Sequence, residues 1–197
     1  MKAVIIDYKA GNTRSLQFAL SRLGVEAALT KDWKVIQAAD RVFFPGVGAA
    51  GFAMEQLRAS GVDKLIPTLT QPLLGICLGM QLLCRASEEN DAEGLGIFDT
   101  TVQAIPPAPN LKVPHMGWNQ LQAENSVLLK GLSPASYFYF VHSYAVPVVD
   151  ATTAVSTHGQ PFSGILEKDN FYAVQFHPEK SGAVGAQLLA NFLALDA

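Results

Sequence analysis

One junction constrains this 197-residue chain more than any other feature: a buried strand that runs straight into a cysteine framed by glycines. Residues 72–76, Pro-Leu-Leu-Gly-Ile, have the short apolar pattern of a strand covered on both faces, and a helix is expected from about Leu78 to Cys84. Gly75-Ile76-Cys77-Leu78-Gly79 spans the turn between them. A backbone folding back that sharply needs small neighbours, so Cys77 becomes the thiol counterpart of a serine nucleophile elbow. The position also supplies activation. A helix N-terminus favours thiolate over thiol, and its free N–H groups, the Leu78 amide first, can hold a developing oxyanion. Cysteine is more often a packing residue, and Cys84, expected in mid-helix among Leu82, Leu83 and Arg85 without a glycine frame, is assigned to packing.

Such an elbow belongs on a parallel sheet, and the first half of the chain is patterned accordingly. Residues 2–7 form a strand run. Thr13 is placed to cap a helix in which Leu16, Ala19, Leu20 and Leu23 recur on one face until Gly24 ends it. Strands follow at 25–29 and 42–44, the latter stopped by Pro45 and Gly46, and then a helix at 50–59. The second half differs. Residues 101–114 are rich in proline and read as an irregular connection. After them come strands at 137–141, 152–156, 162–167 and 171–176, with Gly159 and Asp169-Asn170 as turns, a pattern that predicts antiparallel hairpins. A last helix at 184–193 places Val184, Leu188, Leu189 and Phe192 on one side. The expected fold is one α/β domain over 1–197, with a mixed, mainly parallel sheet flanked by helices and an antiparallel extension.

Composition removes several classes of function. A net charge of −3 argues against a phosphate-backbone binder, so no nucleic-acid partner is expected. The acidic cluster Glu88, Glu89, Asp91 and Glu93 reads as a solvated loop. No apolar run has the length of a membrane span, and the N-terminus lacks a signal peptide's core and cleavage site. Two cysteines do not make a disulfide framework, so a cytoplasmic setting with reduced thiols is expected. No two His or Cys residues have metal-ligand spacing. Gly11-Asn12-Thr13 and Pro45-Gly46-Val47-Gly48 both fall short of the nucleotide-binding patterns, so neither metal nor cofactor is called for. The charged fraction of 16% is low for a small protein and points to surface buried against another chain.

A thiolate nucleophile needs a base, and the base an orienting group. His177-Pro178-Glu179 at the end of an apolar strand supplies both. In extended backbone, residues two apart project to one side, so Glu179 can reach one imidazole nitrogen while His177 takes the thiol proton and later protonates the leaving group. Pro45 to Gly48, following the third strand, would reach the same end of the sheet, with backbone N–H groups free to face a ligand as a second wall of the oxyanion site. His115, His142 and His158 are read as ordinary polar residues.

Three segments together resemble the class I glutamine amidotransferases: PGVG at 45–48, GICLGMQLL at 75–83 and QFHPEKSG at 175–182. The resemblance implies that Cys77 forms a γ-glutamyl thioester, with His177 as general base and acid and Glu179 as its orienter. It also implies glutamine-binding roles for Gly46, Gln81, Ser143 and Tyr144, beside the oxyanion roles read above for Leu78 and for the backbone of Val47 and Gly48. DYKAGNTRSL at 7–16, VPHMGWN at 113–119 and YFYFVHSY at 137–144 are similar to the glutaminase subunits of imidazole glycerol phosphate synthases. In that family the glutaminase docks on the bottom of a cyclase subunit that is a (β/α)8 barrel, and ammonia passes through the barrel. The implied partner-facing residues are Asn12, Met116, Trp118, Tyr139 and Lys180. One departure stands out, because Lys9 occupies a position where that family commonly has glycine. Competing expectations are the glutaminase subunit of another amidotransferase (serving anthranilate, aminodeoxychorismate or pyridoxal phosphate synthesis), a non-catalytic interaction protein, and a cysteine peptidase with the same elbow.

Overall fold

The computed structural model describes residues 1–9, 12–123 and 125–196; Ala10 and Gly11, parts of two of the motifs above, lie outside them. The first half winds as β1 (Ala3–Ile6), α1 (Thr13–Arg22), β2 (Ala27–Thr30), α2 (Trp33–Gln37), β3 (Arg41–Gly46), α3 (Ala50–Ser60), α4 (Val62–Leu65), β4 (Leu73–Cys77) and α5 (Leu78–Leu83). Its four strands lie parallel in the order β2-β1-β3-β4. β1, β3 and β4 are buried along their whole length, which explains their unbroken apolar runs. Alternation then divides the core in two. Val4, Ile6 and Phe44 pack with Ala53, Met54 and Leu57 of α3 on one face. Ala3, Ile5 and Phe43 pack with Leu16 and Leu20 of α1 on the other.

The second half runs β5 (Cys84–Ser87), β6 (Ala92–Glu93), β7 (Phe98–Ala104), β8 (His115–Gln120), β9 (Gln122–Ala123), β10 (Tyr137–His142), β11 (Tyr144–Ala145), β12 (Thr152–His158), β13 (Gln160–Lys168), β14 (Phe171–Val174) and α6 (Gly182–Leu193). β14 joins β4 in parallel, and β13, β12 and β9 continue antiparallel from it, completing an eight-stranded mixed sheet. The hairpins at Gly159 and Asp169-Asn170 are present as expected. Two smaller sheets, β10-β8 and β11-β7-β5-β6, lie beside it. α6 places Leu188, Leu189 and Phe192 against Phe43 and Phe176, so helices cover both faces of the parallel region.

Several local expectations need correction. The cap of α1 is Asn12, not Thr13, and it makes no side-chain capping hydrogen bond. β3 does not stop at Pro45 but continues through Gly46, which pairs with Cys77. Helix α5 ends at Leu83, so Cys84 is not in mid-helix: it opens β5 in extended backbone and is fully buried. The carbonyls of Leu82, Leu83 and Cys84 accept from the amides of Leu95, Ile97 and Gly96, partners that peel the chain out of the helix. Residues 101–104 belong to β7, β8 falls in a stretch given no element, and α2, also unassigned, is capped by Asp32, whose carboxylate accepts from the Lys34 and Val35 amides.

α5 lies close on β3. A Cβ on Gly79 would collide with the Phe44 carbonyl, a rigid backbone atom. Gly79→Ala is therefore expected to destabilise the chain by about 1–3 kcal/mol, the usual cost of overpacking, measured by urea unfolding. A variant unfolding at the parental midpoint would mean that the helix can slide away.

Candidate active site

Cys77 sits at the last position of β4 with φ 55° and ψ −111°, a left-handed φ that costs a residue with a side chain of order 1–3 kcal/mol. The strain is held by the strand before it and the helix after it, and it turns the side chain to the end of the sheet. The Sγ atom is 3.8 Å from the Val141 carbonyl and 3.9 Å from the Gln175 side-chain amide, which donates to it.

β14 runs parallel to β4 with Val174 opposite Ile76, so the chain beyond β14 emerges beside Cys77. His177 is fixed by its backbone: its amide donates to the Tyr139 carbonyl at 2.8 Å, and its carbonyl accepts from the Ser181 hydroxyl at 2.7 Å. Its Nδ1 lies 2.8 Å from Glu179 Oε1, with side chains only 2% and 3% exposed. The pairing is the expected one, but the backbone is not extended. Pro178–Lys180 is a single 3-10 turn, and the turn rather than strand alternation brings the carboxylate under the ring. With Nδ1–H donating to the carboxylate, Nε2 is the nitrogen free for chemistry; it is buried and makes no hydrogen bond. Burial alone would lower the pKa of His177, but the neighbouring Cys77 sulfur and the Glu179 carboxylate outweigh it and raise the pKa to about 10.

Cys77 and His177 line a cavity of about 310 Å³ together with Val47, Gly48, Leu78, Gln81, Ser143 and Tyr144. Of the residues expected to hold substrate, only Gly46 is missing from the lining. It is buried in β3, and a Cβ there would run into the Tyr8 hydroxyl. Tyr8 had no signal in the sequence. Its hydroxyl donates to the Pro45 carbonyl at 2.8 Å, and burial, then the nearby Cys77 sulfur, push its pKa well above the usual tyrosine value.

Three further polar residues were missed. Gln175 is fully buried, and its Oε1 accepts from Gln81 Nε2 at 3.1 Å. His142, read as an ordinary polar residue, is buried and lines the cavity. Glu89, assigned to a solvated loop, also lines the cavity while its Oε2 accepts from the Ala50 amide at 2.8 Å; Glu88 accepts from the Ala104 amide at 2.8 Å. Glu88, Asp91 and Glu93 are exposed, as a solvated loop requires, while half-buried Glu89 is held by a backbone amide beside the cavity. A Glu in an acidic run gives no sign of this, because its partners are remote in sequence.

The residues expected to face a partner lie near one another. β8 pairs with β10, placing Trp118 opposite Tyr139, with ring centroids 5.8 Å apart and Lys180 Nζ 5.8 Å from the Tyr139 centroid. Met116 and Trp118 are 64% and 56% exposed and lie on the same strand, β8. Asn12 stands apart from this patch in sequence, at the start of α1, a helix that packs against the Pro178–Lys180 turn. Lys9 has φ 65°, which explains why glycine is at home there. Among the described residues no cluster of His, Cys, Asp or Glu has metal-binding geometry, and no helix is long and apolar enough to cross a membrane.

The likeness to known proteins runs almost the whole length of the chain. A family model described as "Glutamine amidotransferase class-I" matches residues 4–195. The imidazole glycerol phosphate synthase subunit HisH of Bacteroides thetaiotaomicron is 54% identical over 196 residues, covering 99% of this chain and 100% of that protein. The protein of the same name from Escherichia coli is 50% identical over 198 residues, again covering 99% and 100%. Among solved structures, a glutamine amidotransferase superposes with a TM-score of 0.73 at 20% identity, covering 97% of each chain. The PurLQS structure from Thermotoga maritima gives 0.71 at 16% identity, covering 98% of this chain and 97% of the matched one. At those identities the likeness shows the fold.

The site carries a pH signature on the acid side. Burial first, then His158, lowers the pKa of His115 to about 4. Burial lowers that of His142 to about 3, against the opposing pull of the Tyr144 carbonyl. The unfolded chain takes up these protons near 6.5, before the folded one, so the stability they confer is complete above 6.5 and is lost as pH falls towards 4. Thermal unfolding followed from pH 7 to about 4.5 is expected to show a larger loss of Tm in the parent than in His115→Phe. Equal losses would mean that these rings are charged or free in the folded state.

Proposed function

The chain belongs to the class I glutamine amidotransferase family, and from that premise we infer that it is the glutaminase subunit of an imidazole glycerol phosphate synthase, with a role in histidine biosynthesis in the cytoplasm. It hydrolyses glutamine to glutamate and ammonia and hands the ammonia to a cyclase subunit with a (β/α)8 barrel. The observation that carries the chemistry is the elbow cysteine sharing a cavity with a buried His177–Glu179 pair 2.8 Å apart.

Cys77 Sγ attacks the side-chain carbonyl carbon of glutamine, and the carbonyl π electrons move onto oxygen. The Leu78 amide and the backbone N–H groups of Val47 and Gly48 are the candidate donors to that oxyanion. His177 holds the thiol proton on Nε2 and delivers it to the amide nitrogen as the C–N bond breaks. Ammonia leaves and a γ-glutamyl thioester remains. Water then attacks the thioester, His177 takes its proton, and collapse expels Cys77 with glutamate as product. Glu179 stays a carboxylate throughout, holding the ring in the tautomer that keeps Nε2 available. Glu89 is the one carboxylate among the residues lining the cavity, and it matches the α-ammonium group of glutamine.

The exposed Met116 and Trp118 support a docking role for the β8-β10 face, because the end of β10 at Val141 and His142 lines the cavity. A partner seated there covers apolar surface and adjoins the site where ammonia is released. Relatives that span the chain and are named as synthase subunits favour this synthase over other amidotransferases. The Pro45–Gly48 segment is the element expected to change conformation when the partner's own site is filled.

Glutamate release from glutamine is expected to be slow for the purified chain and to rise strongly with the cognate cyclase plus its nucleotide ligand. In Cys77→Ala it should fall by roughly a thousandfold or more. Release by the parent that never exceeds that of Cys77→Ala would leave only a scaffold role. In Glu89→Gln, which keeps an acceptor for the Ala50 amide, KM for glutamine should rise about tenfold with kcat within about threefold, the effect of losing one charge-assisted hydrogen bond. An unchanged KM would remove Glu89 from the binding site.

A further inference from the structure

We propose that Asn119, His115 and His142 form a one-directional chain of hydrogen bonds through two neutral imidazoles, and that this chain is a positioning device for the Ser143–Tyr144 wall of the cavity. What the wall holds rests on the glutaminase reading. The existence of the chain does not.

The proton positions follow from one fixed acceptor. The Tyr144 carbonyl can only accept, and His142 Nδ1 lies 2.8 Å from it, so Nδ1 carries the hydrogen. In a neutral ring Nε2 is then a lone pair. It lies 3.0 Å from His115 Nδ1, which must be the donor. His115 Nε2 is left as an acceptor, and it faces Asn119 Nδ2 at 3.3 Å. The Asn119 amide is itself oriented from both ends: Nδ2 also donates to the Thr157 carbonyl at 2.9 Å, and Oδ1 accepts from the Gln120 amide at 2.8 Å. One arrangement of protons satisfies every atom. A second proton on His142 would set two N–H groups against each other across 3.0 Å, and one on His115 would face the Asn119 NH2.

The surroundings suit uncharged rings. His115 lies flat between Phe140 and His158, with centroids 4.9 and 4.1 Å away. Phe162 meets both His115 and His142 edge-on. The low pKa values of the two rings agree with this. His115 and His142 are also direct register partners across β8 and β10, so the backbone holds them together.

The far end of the chain reaches the chemistry. The Tyr144 carbonyl accepts a second hydrogen bond, from Gln81 Nε2 at 2.9 Å, so both its lone pairs are used. The other Gln81 hydrogen goes to Gln175 Oε1, which turns the Gln175 amide nitrogen towards Cys77 Sγ. The chain thus runs from the half-buried Asn119 on β8, beside exposed Trp118, to the carbonyl that orients two glutamines at the nucleophile. His115 and His142 act through these groups and make no contact with the reacting atoms themselves.

The test has two arms. Long-range 1H–15N spectra of the uniformly 15N-labelled chain at neutral pH, assigned by loss of signals in His115→Phe and His142→Phe, should show both rings neutral with the proton on Nδ1. A proton on Nε2 of either ring, or a doubly protonated ring, overturns the chain. Glutaminase kinetics of His115→Phe, measured with the cognate partner present, should give a KM for glutamine raised about tenfold and a kcat within about threefold, the loss of one oriented hydrogen bond. An unchanged KM, or a fall confined to kcat, overturns the positioning role. If His115→Phe fails to fold, Asn119→Ala at the half-exposed end should shift KM in the same direction and turn the His115 signals into a mixture of tautomers; if neither moves, the positioning role is overturned. An inactive parent would defeat the glutaminase reading, while the spectra would still judge the chain.

Discussion

The parallel pairing of β4 with β14 is the contact on which the cavity depends. With Ile76 opposite Val174, the two strands release Cys77 and Gln175 side by side, and His177 follows two residues later. These segments lie about a hundred residues apart in the chain, and hydrogen bonds between adjacent strands bring them together. The flanking strand β3 carries Gly46 up to Cys77 in the same register, and β10 supplies the carbonyl of Tyr139 to the His177 amide. Burial of Phe43, Phe44 and Phe176 on the two faces holds the sheet in place, so the positions of the polar groups are set by apolar packing.

What the sequence could reveal follows from how local each cause is. The elbow was legible because the turn at Cys77 is made by its immediate neighbours, and the parallel half was legible because strands buried on both faces leave unbroken apolar runs. The pairing of His177 with Glu179 was legible, but not the turn that makes it. Pro178 fits a strand end and a 3-10 turn equally well. By contrast, β8, the early end of α5 and the duties of Glu88 and Glu89 depend on partners many residues away. Histidines 115 and 142 gave no signal for the same reason, since strand register brings the two rings together.

Lys9 shows the two sources of information meeting. Resemblance marks it as an unusual residue at a glycine position, and its φ of 65° supplies the physical reason, a backbone shape in which glycine is unstrained. The amide of Lys9 steadies this shape by donating a hydrogen bond to Asp7 Oδ1 at 3.2 Å. The residue is exposed, so the cost falls on the local backbone and leaves the cavity untouched.

The carboxylate of Glu89 serves two masters, the first amide of α3 through Oε2 and the cavity through the rest of the group. Linkage makes such sharing reciprocal. Whatever occupies the cavity and draws on Glu89 also stiffens or loosens the opening turn of α3, and whatever frays that turn alters the grip on the occupant. If glutamine draws on Glu89 as proposed, an eleven-residue helix that touches no reacting atom becomes a strain gauge for the occupied site. Its amide-exchange rates would register filling and emptying, and drift at Ala49 or Gly51 would surface as a change in substrate affinity with no residue of the cavity replaced.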